Sequence, residues 1–422
     1  MNTKGAERVE FTSKMRRDYT ILAPDIFPLH LRLIKEVFIN QGYNFDFVTY
    51  QGTDVIEKGL ESIHNDMCYP LICTAGQLIY ALECGDWDKS KTALIQFQTG
   101  GGCRASNYIW LLRKALSLRG LGDVPVISLS FNSIEKNSGF RLTLPFLLKG
   151  LVSVVYSDML MCLSNQTRPY EENKGESDEL IQKWIDTLSL ELKSSRHILK
   201  NINKNLREIA LSFSKIKRNN TKKVKVGIVG EIYVKFSPFG NNNLQKFLED
   251  NDCEVMIPGV FPFAQYCFQN KIYDHNSYGL NSYFTTFICK VLLKYCKKID
   301  KSFRDALKGL DFVIPSSFDE LVENAKEVFD THIEMGEGWL LPAESAELAK
   351  NGYDNIISTQ PFGCLPNHIV AKGFAKKFKT VFPNATLCPI DYDSSQSKVN
   401  QENRIRLMLS IAKERLYEEN RT

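Results

Sequence analysis

Short apolar runs alternate with helically spaced apolar positions over most of the chain. Tyr19-Thr20-Ile21-Leu22-Ala23-Pro24 is the first run, and Leu29, Leu31, Leu33, Ile34 and Val37 follow at helical spacing. Gly42 closes that helix, and Phe45-Asp46-Phe47-Val48-Thr49-Tyr50 alternates as a strand does. Val124 to Ser130 reads as a further strand. Strands that alternate with helices predict βαβ units and a mainly parallel sheet. From Ser177 to about Arg218 the pattern is wholly helical, with a narrow seam of Ile198, Ile202, Leu206, Ile209, Phe213 and Ile216. The other face carries Lys200, Lys204, Arg207 and Arg218, either as a solvated face or as a docking surface for an acidic partner. Beyond Arg218-Asn219-Asn220-Thr221-Lys222-Lys223 the strand–helix alternation restarts. Its strands are Val224–Gly230, Cys253–Ile257, Phe312–Pro315, Asp354–Thr359 and Ala385–Ile390. The expected organisation is an α/β domain over residues 1–175, a helical segment over 176–218 and a second α/β domain over 219–422.

Three cysteines stand at matched punctuation points in this pattern. Leu94-Ile95-Gln96-Phe97 runs into Gly100-Gly101-Gly102-Cys103, and a helix follows with Ile109, Leu112, Ala115 and Leu116. Asp354 to Thr359 runs into Gln360-Pro361-Phe362-Gly363-Cys364-Leu365-Pro366-Asn367, and a helix follows with Ile369, Val370, Phe374 and Phe378. More loosely, Met67-Cys68-Tyr69-Pro70 opens the apolar helix from Leu71 to Leu82. A thiolate at a helix N-terminus is stabilised by free N–H groups and by the helix dipole. Cys68, Cys103 and Cys364 either meet around a metal centre or are three unrelated buried thiols, since free cysteine is a common core residue. Thiolates are soft ligands that suit iron–sulfur clusters or zinc. His64 and His368 each lie four residues from a candidate ligand, which keeps a mixed Cys/His zinc site open. Cys73 is five residues beyond Cys68 on the helix, so it points about 140° away around the axis. That leaves three thiolates for a four-iron cube and one iron free for water, a small ligand or a substrate oxygen.

Composition narrows the class only modestly. A hydrophobic content of 43% and a charged content of 24% over 422 residues are those of a soluble globular protein. A net charge of +4 is too mild to imply nucleic acid as a partner. Lys4, Arg8, Lys14, Arg16 and Arg17 have no apolar core behind them, so no secretory signal is expected. Eleven cysteines without such a signal point to thiols kept reduced, and hence to a cytoplasmic protein. Leu142 to Leu163 is interrupted by Pro145, Lys149 and Asp158, which predicts a buried core helix and not a membrane span. The Gly100-Gly101-Gly102 run lacks the lysine of a P-loop and the spacing of a dinucleotide fingerprint.

The segments around Met67-Cys68-Tyr69-Pro70, Gly102-Cys103-Arg104 and Gln360 to His368 resemble the cluster-binding segments of the 2-hydroxyacyl-CoA dehydratase family, nearest its activase-related branch. Val226-Gly227-Ile228-Val229-Gly230-Glu231, Gly336-Glu337-Gly338-Trp339-Leu340-Leu341 and Ile390-Asp391-Tyr392-Asp393 match as well. The resemblance implies two Rossmann- or flavodoxin-like domains with mainly parallel sheets and a [4Fe–4S] cluster held by Cys68, Cys103 and Cys364 at their interface. It implies a lyase or ATP-dependent reductase that takes low-potential electrons from an ATP-hydrolysing activase under anaerobic conditions. The substrate class it implies is a CoA thioester, to be dehydrated or reduced, in a homo- or heterodimer. It assigns no catalytic residue; Glu231 and Glu337 match in type as pocket residues or as ordinary caps. The alternatives are a double-cubane [8Fe–9S] reductase, a non-catalytic electron-transfer or maturation partner, and a zinc-stabilised binding protein.

Overall fold

The computed structural model describes residues 8–99, 102–129, 135–194, 198–395 and 397–419. Lys4, Gly100, Gly101 and Ser130, named above, lie outside them. Two four-stranded sheets carry the fold. The first is built from β1 (Thr20–Pro24), β2 (Asn44–Val48), β3 (Thr92–Phe97) and β4 (Val126–Leu129), in the order β2-β1-β3-β4. The second is built from β5 (Val224–Gly230), β6 (Cys253–Met256), β7 (Asn355–Pro361) and β8 (Thr386–Tyr392), in the order β6-β5-β7-β8. Every pairing in both sheets is parallel. The chain is therefore α/β with two Rossmann- or flavodoxin-like halves, as the alternating pattern predicts.

The central strands are apolar on both faces because helices cover both. Ala93, Leu94 and Ile95 of β3 are buried, as are Val226, Ile228 and Val229 of β5. In such a sheet the strands all point one way and the crossover helices run back, so helix N-termini gather at the C-terminal ends of the strands. This places the turns after β1, β3, β5 and β7 at the sheet edges where open α/β folds bind ligands.

Between the sheets lies the apolar helix Leu144–Thr167. It meets the length and hydropathy of a membrane span, but 67% of its apolar window is buried inside the protein. It packs on the helices Pro28–Asn40 and Ile198–Phe213 and reaches β6. Its Asp158 carboxylate accepts from the N–H groups of Val260 (2.9 Å) and Phe261 (2.8 Å) and pairs with His30 Nε2 at 2.8 Å. One buried carboxylate thus ties a helix of the first half to a helix start of the second.

The helical stretch is two helices, Glu176–Ser194 and Ile198–Phe213. Its basic face is partly committed: Arg207 donates to the carbonyls of Ala306 and Lys308, and Arg218 pairs with Asp311. Residues 219–222 are exposed, and β5 begins at Val224. The expected strand at Phe312–Pro315 does not form. The Gln166 side-chain amide takes the place of a neighbouring strand, accepting from Val313 N at 2.6 Å and donating to Val313 O at 3.3 Å. A β-rich apolar tetrapeptide satisfied by a side chain has no need of a sheet.

Candidate metal centre between the two halves

Cys68 occupies the N-cap position of helix Tyr69–Cys84, with extended backbone and Pro70 in the first turn. Cys103 follows β3, and a single 3-10 turn, Arg104–Asn107, separates it from helix Tyr108–Leu118. The sequence pattern placed the thiol directly on the helix; the extra turn moves the helix start five residues on. Arg104 Nη1 donates to Asp66 O at 2.7 Å and so clamps the Cys103 turn to the Cys68 turn.

Cys364 follows β7. Gly363 takes a φ of +70° ahead of it, and Cys364 N donates to Pro361 O at 3.1 Å. The helix expected after it starts with a wide π turn, Asn367–Ala371, before the helix Ala375–Val381. Cys68 and Cys364 are buried, and Cys103 is partly so.

These three thiols, distant in sequence, converge. Cys68 lies within electrostatic reach of Cys103, and Cys364 within reach of Cys68. Two carboxyls share the place: Glu231, directly after β5, and Glu337 both act on all three thiols. Glu231 caps the short helix Ile232–Phe236 by accepting from Val234 N at 2.9 Å, while Glu337 Oε1 accepts from Ile232 N at 3.2 Å. Both therefore hang on the same helix start. Glycine makes this geometry possible at two points. Gly230 sits at φ +140° against the Thr359 carbonyl, where a Cβ would come within 1.9 Å of that oxygen. Gly336 sits at φ +60° and lets the Glu337 turn pass Pro366, next to Cys364. Tyr266 Oη braces that turn by donating to the carbonyls of Glu334 and Gly336.

Electrostatics decides what the arrangement tolerates. Burial pushes each of the three thiols above its ordinary range, and the two carboxyls push further. Burial, then the neighbouring Glu337, raises Glu231 to about 8; burial raises Glu337 as well. Ionising this group without a cation brings several like charges together in low dielectric. A positive centre reverses the balance, because each thiolate then gains an opposite charge. Each sulfur also has a donor suited to the anionic form. Asn367 Nδ2 donates to Cys364 Sγ at 3.3 Å, while the Tyr108 hydroxyl near Cys68 and the Ala105 N–H near Cys103 favour the anionic form of each. Hydrogen bonds to cluster sulfurs set potential and orient ligands.

Among the described residues no three His, Cys, Asp or Glu side chains stand close enough to share one metal ion. Cys73 is fully buried and pushed up to about 12 by burial. Its side chain joins the core beneath the second sheet, whereas Cys68 packs in the core of the first. His64 is exposed and engages Asp66; His368 engages Asp391 at 3.0 Å. Neither is gathered with the thiols. Cys162, Cys253, Cys289 and Cys296 are buried in the apolar cores, as their apolar surroundings in sequence predict.

Tyr108 and Asn367 were not singled out by sequence. Their only signal is position, five residues after Cys103 and three after Cys364. No protein-family model matches the chain, and no curated protein matches it.

Proposed function

We propose that the protein holds one [4Fe–4S] cluster on Cys68, Cys103 and Cys364 and passes low-potential electrons through it. The observation that carries the reading is the convergence of those three thiols, from both halves, with a hydrogen-bond donor on each. The remaining buried cysteines are dispersed through the cores, which argues against the six thiolates a double cubane needs.

In this reading the protein works in the cytoplasm with an ATP-hydrolysing activase, like the 2-hydroxyacyl-CoA dehydratase family its segments resemble. A cluster of this kind supplies single electrons at low potential when bound. The chain's own residues do the rest. Tyr108, the Ala105 N–H and Asn367 stabilise charge on sulfur, while Glu231 and Glu337 hold a proton beside it. The reaction would be reduction or dehydration of a substrate, with a CoA thioester as the candidate.

A second reading, that the chain is an electron carrier for another protein, is favoured by the limited space. The cavity beside Glu337 is nearly filled by Lys235, Phe236, Phe263 and Glu344 and leaves about 10 Å³, room for about one water molecule. That is below the usual range for drug-sized ligands, roughly 300–1,000 Å³.

The test is to prepare the full chain without oxygen and add a reduced ATP-hydrolysing activase. The reading expects the visible absorbance of the oxidised cluster to bleach only when ATP is present. Absorbance indifferent to ATP, in protein that contains iron and sulfide, would keep the cluster and overturn the electron-acceptor role.

A further inference from the structure

One short loop touches three sides of the thiol centre. The Trp339 N–H donates to the Ile333 carbonyl at 2.9 Å and closes the neck of the loop 334–338. Met335 lies on Gly102, where a Cβ would come within 2.9 Å of Met335 Cε. A Cβ on Gly336 would come within 2.7 Å of Pro366 Cγ. The Glu337 carboxylate accepts from Ile232 N at 3.2 Å. The loop therefore leans on the turn that carries Cys103, on the turn that carries Cys364 and on the helix start after Glu231.

The neck of this loop is anchored more firmly than its tip. Trp339 is fully buried, and its Nε1 donates to Asn270 Oδ1 at 2.9 Å. The tip is held by less. The Tyr266 hydroxyl reaches the carbonyls of Glu334 (2.7 Å) and Gly336 (3.0 Å), and its one proton serves one of them at a time. Met335 is 42% exposed, so its contact with Gly102 is half open to water. Gly336 and Gly338 take φ of +60° and +37°, with no Cβ to stiffen either. A segment with so few buried apolar contacts opens at low cost.

We infer that this loop is a gate over the thiol centre, with Met335 as its latch and as the residue that sets how large a molecule can enter. The inference rests on the three thiols forming one centre. Space is the first argument. With the loop in place, the cavity beside Glu337 holds about one water molecule, so a substrate enters only if a wall moves. Most of the other walls are packed helices, and Lys235 and Glu344 lock two of them together at 3.1 Å. The Gly259-Val260 wall is tied to the buried Asp158 carboxylate, which accepts from Val260 N and leaves no room for a Cβ on Gly259. The Glu337 loop is the wall with the weakest hold.

Side-chain chemistry is the second argument. Phe362, Leu365 and Ile369, on and beside the turn that Gly336 touches, are exposed, as is Ile333 at the neck. Together with Met335 they form an apolar collar outside an interior of thiols and acids. Methionine is unbranched and repacks readily, which suits a latch that leaves and returns. Such a collar suits a molecule that enters with an uncharged, apolar group first.

Alkylation of the full chain, with any metal removed by chelation, tests the gate whether or not the protein holds a cluster. N-ethylmaleimide and pyrene maleimide share one chemistry and differ in bulk, and peptide mass spectrometry reads the label at each cysteine. In the wild type, Cys364 should react with the small reagent and much more slowly with the large one. Met335→Ala should speed the pyrene reaction at Cys364 about 10-fold, as removal of a half-buried apolar contact implies. Gly102→Ala, which displaces the same contact from the other side, should do likewise. Met335→Leu, of similar bulk, should keep the wild-type rate. Cys73, fully buried in the core, reports any loosening of the whole fold, and its rate should not change. A wild-type rate in Met335→Ala overturns the gate. So does an acceleration that Cys73 shares, or a wild type that takes both reagents equally fast.

Discussion

At the C-terminal edge of the first sheet the strand ends deliver Asp25 after β1 and Cys103 after β3, with Cys68 at the adjacent helix start. At the same edge of the second sheet, Glu231 follows β5 and Cys364 follows β7. The strand order is the same in both, so the positions correspond: acid after the first strand, thiol after the third. The environments do not. Asp25 is buried with one carboxyl oxygen unpartnered, apart from the thiols, and burial alone raises it to about 7. Glu231 caps a helix, meets a second carboxyl and acts on all three thiols. The two halves share a strand order, but the thiols come from both while the two acids beside them come from the second. The first half supplies two sulfurs, and the second supplies one sulfur and the acids.

The largest effect should come from breaking that division of labour. Cys68→Ser, Cys103→Ser and Cys364→Ser should each abolish or convert the cluster, whichever half they belong to, with circular dichroism unchanged. Cys73→Ser and Cys253→Ser should keep full iron content, because those thiols serve the core. Next comes the backbone that sets the acid in place. Gly230→Ala should cost about 3 kcal/mol or more in chemical denaturation, since positive φ and the Thr359 carbonyl both oppose a Cβ. Gly102→Ala, where only the flexible Met335 side chain must move, should cost much less.

The acids differ in a way that pH can read. Asp25 binds its proton more tightly folded than unfolded, so it stabilises nothing as pH rises. Stability falls through the window from about 4 to about 7 as the folded protein is forced to ionise a buried carboxyl. Asp25→Asn should flatten that decline by roughly 4 kcal/mol in denaturation curves across the window. A decline unchanged in the variant would show that Asp25 is not its source. The smallest effect concerns the sulfur donors. Tyr108→Phe and Asn367→Leu should lower the midpoint potential by on the order of tens of millivolts, with iron content retained. Equal potentials in wild type and variants would remove both residues from the account.

How much of this was legible in sequence follows from which features are local. Strand, turn and helix are short-range, so Cys68, Cys103 and Cys364 could be marked by their punctuation. The helical period likewise sets Cys73 aside from Cys68. Glu231 and Glu337 could be marked only by type, because what distinguishes them is a shared helix start assembled from segments over 100 residues apart. Tyr108 and Asn367 act through the direction of one hydrogen bond each, and no periodicity encodes that. Phe312–Pro315 was misread for a related reason: its partner is a single distant amide, Gln166, and propensity cannot see it. The common strand order of the two sheets was also invisible, since it depends on which strands pair across long connections.

The central claim is that sulfurs from both halves hold one cluster, and its composition tests that claim most directly. Iron, acid-labile sulfide and zinc should be determined per chain on protein purified without oxygen. The account predicts about four irons with matching sulfide and no zinc. Zinc without sulfide, or a metal-free protein that cannot be reconstituted with iron and sulfide, would contradict it.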